Sequence, residues 1–149
     1  MPIQKLPSRR RTFVSSAVAL IVGTRILPAR AQVLFHRPDV RWYEAAAEMK
    51  RLAVSWGDQP YGAVLVLDGT LVGLGPSRVV KNQNLDAHAE REAIHDAQTK
   101  LGRQRLHGAV LYSTSRPCSL CEAAAAQAGV SRMVFGASLT DGGVPGLSR

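Results

Sequence analysis

The chain has 149 residues, 46% of them hydrophobic, and a formal charge of +8. That length holds one domain with a real core. The charge suggests a nucleic-acid binder only until it is located: six of the 19 basic residues (Lys5, Arg9, Arg10, Arg11, Arg25, Arg30) fall in the first 31, which contain no acidic residue. The remainder carries 13 basic against 11 acidic groups, and that near balance gives no electrostatic reason to expect a phosphate backbone, so no nucleic-acid partner is expected.

The N-terminus reads as an export signal over residues 1–31. Ser8-Arg9-Arg10-Arg11-Thr12-Phe13-Val14 has the paired arginines and following apolar residues of a twin-arginine signal. Phe13 to Thr24 is apolar but too short to cross a hydrocarbon core that needs about 20 residues, and Ala29-Arg30-Ala31 supplies a small-x-small cleavage site. The expectation is an exported, periplasmic protein without a stable membrane span after cleavage, or a cytoplasmic one if the signal is unused. Folding before translocation would let a metal occupy the two cysteines before they meet an oxidising compartment.

Residues 32–149 read as a single domain. Gln32 to Asp39 is a short linker with Pro38. Val40 to Trp56 is a predicted helix, because Trp42, Ala45, Ala46, Met49, Leu52 and Ala53 recur at three- and four-residue steps. Gly57 stops it and Pro60 keeps the chain extended. Tyr61 to Leu67 and Leu71 to Leu74 are strands joined by Asp68-Gly69, a two-residue hairpin signal. Asp86 is the expected cap of a helix from Ala87 to about Lys100, whose apolar stripe of Ala89, Ala93, Ile94, Ala97 and Leu101 faces a sheet. Gly108 to Ser113 is a buried strand, Cys118 to Ala128 a helix ended by Gly129, and Ser131 to Ala137 a last strand; the sequence is loop-like after Gly142. Helices and strands alternate in the second half, which predicts an α/β fold with a sheet covered by helices on both faces.

The chemistry concentrates in His88-Ala89-Glu90 and Pro117-Cys118-Ser119-Leu120-Cys121. One imidazole and two thiolates suit a tetrahedral zinc ion, and three protein ligands leave a fourth position for water. Glu90, two residues from a ligand, is placed to carry protons between that water and a substrate. Both ligand segments sit at predicted helix starts, whose positive ends favour thiolates, and Cys118 and Cys121, three apart, share a face. Pro117 is tolerated where a helix begins. A redox pair of the C-x-x-C kind would have no use for His-Ala-Glu upstream. His95, seven residues past His88, lies about 10 Å further along the helix axis and cannot reach the same ion. His36 and His107 read as surface residues.

H-x-E followed by P-C-x-x-C is the signature of zinc-dependent base deaminases. Together with Gly57-Asp58-Gln59-Pro60-Tyr61-Gly62-Ala63-Val64, Asp68-Gly69, Leu111 to Cys121, and Val134-Phe135-Gly136-Ala137-Ser138, it makes roughly the last two thirds of the chain resemble the cytidine/deoxycytidylate deaminase superfamily. The resemblance is nearest the branch of guanine, cytosine and tRNA adenosine deaminases. It implies a three-layer α/β/α fold with a mixed sheet opening on an antiparallel hairpin, one zinc ion held by His88, Cys118 and Cys121, Glu90 as proton carrier, the Ala89 N–H on the substrate's ring, and a homodimer.

The match loosens where a substrate would be read. The family's asparagine about eleven residues before the zinc histidine is Ser77 here, while Asn82 and Asn84 lie closer in the loop; all three are candidate substrate contacts. The customary Glu before Pro-Cys is Arg116, D-P-T-A before H-A-E survives only as Ala87, and the family's C-terminal helix has no counterpart. The leading expectation is a zinc-dependent hydrolytic deaminase of a free nucleobase or nucleoside, guanine first. The alternative, motivated by these departures, is a catalytically silent, zinc-stabilised binding or assembly module of the same fold.

Overall fold

The structure is a computed structural model and describes residues 38–146. The export signal and His36 lie outside the described residues. Helix α1 spans Pro38–Ser55, strands β1 and β2 span Gly62–Leu67 and Thr70–Pro76, and helix α2 spans Ala89–Leu101. Then come β3 (Val110–Ser113), α3 (Ser119–Ala128), β4 (Arg132–Phe135) and β5 (Thr140–Gly143). The helix therefore begins at Pro38, inside the segment expected to be a linker; a residue without an N–H is acceptable at a helix start, where that donor has no internal partner.

The sheet order is β2-β1-β3-β4-β5. Strand β1 runs antiparallel to both β2 and β3, β3 runs parallel to β4 through α3, and β4 is antiparallel to β5. Asp68 and Gly69 both have positive φ, 49° and 70°, and Leu67 pairs with Thr70, so the hairpin is the tight two-residue turn that Asp-Gly encodes.

Alternation along β1 divides the core. Ala63 and Leu65 face one layer with Ala93, Ile94 and Ala97 of α2 and Ala125 and Ala128 of α3, joined by Leu106, Leu111 and Met133. Val64 and Val66 face the other layer with Ala46 of α1, Tyr112 and Val134. Each fully buried leucine, such as Leu65 or Leu111, contributes about 1.5–3 kcal/mol over leaving it exposed. Tyr112 donates a 2.6 Å hydrogen bond to Asp39 Oδ1, tying β3 to the first turn of α1. Burial, helped by that carboxylate, pushes the Tyr112 phenol above its ordinary range.

Strand β5 lies in a stretch that sequence patterning leaves as loop. Thr140-Asp141-Gly142-Gly143 has no apolar alternation to betray an edge strand. Arg132 on β4 instead grips Asp141 with two guanidinium nitrogens, Nε at 2.9 Å from Oδ1. The Arg132 guanidinium and the Gly143 N–H hold the Asp141 carboxyl down at about 2.

Backbone approach sets where α2 lies. A Cβ at Gly75 would sit 2.0 Å from the Ala89 carbonyl oxygen, and one at Gly73 would sit 2.2 Å from that of Ala93. Strand β2 thus presents bare backbone so that α2 can rest on it. Gly75→Ala is expected to cost at least about 1–3 kcal/mol through overpacking, seen as a lower unfolding temperature. It should also lower metal content, because Ala89 stands between His88 and Glu90; a variant with wild-type melting and metal would refute this account.

Candidate active site

Helix α2 begins at Ala89, with His88 as its N-cap in extended backbone (φ −67°, ψ 151°). Helix α3 begins at Ser119, with Cys118 as its N-cap (φ −73°, ψ 167°). Neither cap residue uses its side chain to bond the helix, and both side chains turn to each other instead. This corrects the expectation that Asp86 caps α2. Asp86 is exposed and pairs with Arg91 at 2.8 Å, because Asn84 Oδ1 accepts its N–H and closes a local turn short of the helix.

His88 Nδ1 lies 3.6 Å from Cys118 Sγ and 3.4 Å from Cys121 Sγ, and the three ligand atoms all lie within 4.8 Å of one another. Tetrahedral coordination with Zn–S about 2.3 Å and Zn–N about 2.0–2.1 Å separates sulfur from nitrogen by roughly 3.6 Å. The donor set therefore fits a tetrahedral zinc ion. Its electrostatics agree: burial pushes the Cys121 thiol up, and the Glu90 carboxylate and Cys118 push it the same way. A cation placed among these groups would offset that cost. Cys121 is fully buried, Cys118 exposed, and Glu90 only 5% exposed, so the carboxylate is held inside the fold beside the sulfurs.

A pocket of about 250 Å³ opens onto this group. His88, Ala89, Glu90 and Cys118 line it from the helix starts, and Gln59, Tyr61, Ser115 and Arg116 line it from two loops. Ser115 and Arg116 lie one residue beyond β3, past Thr114, at the carboxyl end of a strand in the parallel β3–β4 pair, where open α/β sheets form their crevices. A larger groove of about 640 Å³ lies along α2 and α3, but it contains none of the three ligands and not Glu90. The smaller pocket is the candidate site because it alone holds the chemistry.

Of the substrate contacts expected from sequence, Ala89 lines this pocket, whereas Ser77, Asn82 and Asn84 do not. Ser77 is fully buried and its hydroxyl donates to Asp58 Oδ1 at 2.9 Å. Asn82 is exposed and outside the pocket, and Asn84 lines the larger groove. His95 is exposed in that same groove, and His107 is exposed elsewhere, the latter as read from the sequence. Gln59, Tyr61 and Ser115 were not singled out; their signal is adjacency, since Gln59-Pro60-Tyr61 precedes β1 and Ser115-Arg116 precedes Pro117-Cys118.

Asp58 fastens the rim. Its two oxygens accept from the backbone N–H groups of Gln59 (2.7 Å), Val80 (2.9 Å) and Lys81 (2.8 Å) and from the Ser77 hydroxyl. Burial alone would push its carboxyl up, but the donors from Lys81, Gln59, Ser77 and Val80 outweigh it and leave the pKa below the ordinary value. A carboxyl lowered in the folded state stabilises above its unfolded pKa of about 3.9, and that contribution disappears as pH falls through the lower folded value. Acid unfolding of the wild type is thus expected to be steeper below about pH 5 than that of Asp58→Asn. Superimposable acid profiles of the two proteins would remove Asp58 as the fastening.

The five-stranded mixed sheet, helices on both faces and two converging helix starts make this a cytidine-deaminase-like architecture. The chain belongs to the MafB19-like deaminase family, which it matches over residues 38–148. It is 40% identical over 100 residues to a tRNA-specific adenosine deaminase of Agrobacterium fabrum, covering 67% of this chain and 66% of that protein. It is 34% identical over 88 residues to the guanine deaminase of Bacillus subtilis, covering 59% of this chain and 56% of that one. Among solved structures it resembles one from studies of A-to-I editing by tRNA:A34 deaminases, with a TM-score of 0.63 at 38% identity, covering 64% of this chain and 70% of that one. The crystal structure of Bacillus subtilis guanine deaminase is also similar, with a TM-score of 0.60 at 32% identity over 64% of this chain and 61% of that one. The chain spans about two thirds of the length of several bacterial tRNA-specific adenosine deaminases that it matches. Relatives whose names specify tRNA stand against the expectation, drawn from charge balance, that nucleic acid is excluded.

Proposed function

We propose that this chain is a zinc-dependent hydrolase that deaminates an amino-substituted purine. The observation that carries the reading is the juxtaposition of His88, Cys118 and Cys121 at metal-ligating separations with the buried Glu90, at a pocket lined by His88, Cys118 and Glu90. The silent-module alternative has no comparable support, since such a module has no need of a carboxylate lining the pocket. The named relatives act on adenosine in tRNA and on guanine, so a purine ring is their common element. That widens the guanine-first expectation to include adenine.

His88, Cys118 and Cys121 would hold the ion, which lowers the pKa of a water it binds towards about 7. Glu90 takes a proton from the attacking water and passes it to the ring nitrogen beside the amine-bearing carbon. The oxygen joins that carbon, Glu90 delivers the second proton to the amine, and the C–N bond breaks to release ammonia. The pocket's neutral donors and acceptors, Gln59, Tyr61 and Ser115, surround the ring, and the Ala89 N–H is offered to its polar edge. Ammonia release from adenine and guanine, their nucleosides and nucleotides, and a tRNA anticodon stem-loop tests the reading; a zinc-loaded protein silent on the whole panel would overturn it.

Two further properties are proposed on sequence grounds. A homodimer is checked by sedimentation, where a monomer at micromolar concentration would exclude it. Export is checked by the N-terminal residue of protein from the source cell, where an intact Met1 in the cytoplasm would exclude it. No helix among the described residues is long and apolar enough to cross a membrane.

A further inference from the structure

One pocket residue has no part in the deamination chemistry. Arg116 is exposed on the rim, two residues before Cys118, and forms no ion pair among the described residues. Its guanidinium carbon lies 6.0 Å from the centroid of the Phe135 ring. Arg51, Arg78, Arg91 and Arg132, by contrast, each have a carboxylate partner. The one carboxylate that lines the pocket, Glu90, is 5% exposed, so the negative group is deep and the positive group is at the mouth.

This polarity has a chemical meaning. A neutral base or nucleoside gains nothing specific from a full positive charge at the entrance, whereas a planar guanidinium matches the oxygens of a phosphate in a two-pronged contact. With its amine end against Glu90, a substrate that carries a phosphate beyond its sugar would meet Arg116. We propose that Arg116 is a phosphate-recognising residue and that the preferred substrate is a purine mononucleotide rather than the free base or nucleoside. The inference rests on the purine deaminase reading. A mononucleotide is favoured over a polynucleotide because Arg116 is the one lysine or arginine among the described residues that lines the pocket. One such cation matches one phosphate, whereas a polynucleotide backbone is followed by several.

The test compares zinc-loaded wild type and Arg116→Gln on adenosine against AMP and guanosine against GMP, with free adenine and guanine and an RNA anticodon stem-loop as further arms. For one pair, kcat/KM should be at least about tenfold higher for the monophosphate, and Arg116→Gln should bring that ratio near one chiefly by raising KM. Arg116→Lys should restore part of it. Equal use of nucleoside and monophosphate by the wild type, a preference that survives Arg116→Gln, or preference for the RNA or a free base over both mononucleotides would each overturn the proposal. If none of these compounds releases ammonia, the free bases included, the deaminase reading fails by itself. The phosphate subsite is then decided by titrating AMP and GMP against both proteins: tighter binding than the nucleoside, lost in Arg116→Gln, upholds it, and its absence overturns it.

Discussion

Replacing Glu90 with Gln is expected to reduce ammonia release by about 10²–10⁴-fold or more while leaving bound zinc at one per chain. The amide keeps the shape of the side chain but can neither take a proton from water nor return one to the departing amine. In the proposed site His88, Cys118 and Cys121 supply the metal donors, so the metal content should not change. Parallel assays of ammonia and zinc separate the two effects. Retained turnover with full zinc would show that another group moves the protons, and loss of zinc would show that Glu90 helps to hold the ion.

The largest effect on stability is expected at Cys121. This sulfur is fully buried at the converging starts of α2 and α3, and burial favours its uncharged form unless a cation is present. A metal that binds the folded state adds about 4 kcal/mol when its free concentration is a thousandfold above Kd, and that increment is roughly ten degrees or more in unfolding temperature. A chelator should therefore lower the melting temperature of the wild type and leave Cys121→Ala, already lowered, unaffected. Equal chelator sensitivity in the two proteins would mean that the ion is held elsewhere.

The site was legible in the sequence to the extent that its chemistry is carried by residue types at fixed spacing. His88, Glu90, Cys118 and Cys121 needed no tertiary information, because the chain must bring a ligand from each of two helix starts to one point. The hairpin at Asp68-Gly69 and the stop at Gly129 were equally visible, since each depends on local backbone preference. What escaped depends on distant partners. Ser77 looked available but is occupied by Asp58, 19 residues away. Asp86 looked like a cap but is turned outward to Arg91. Strand β5 has no pattern of its own and is identified only by its pairing with β4 and the grip of Arg132. Gln59, Tyr61 and Ser115 become neighbours of the metal-ligating group only when the loops around Asp58 and Thr114 close, the latter through the bonds between Thr114 and Gly62.

The backbone-on-backbone seat of α2 against Gly73 and Gly75 limits how this catalytic module can be transplanted. Grafting the His-Ala-Glu segment onto another scaffold would carry the reactive groups but not the depth at which they rest. A host strand bearing ordinary side chains would lift the helix by the width of a methyl group, enough to pull one ligand out of register with the other two. The portable unit is therefore the glycine-bearing strand together with its helix.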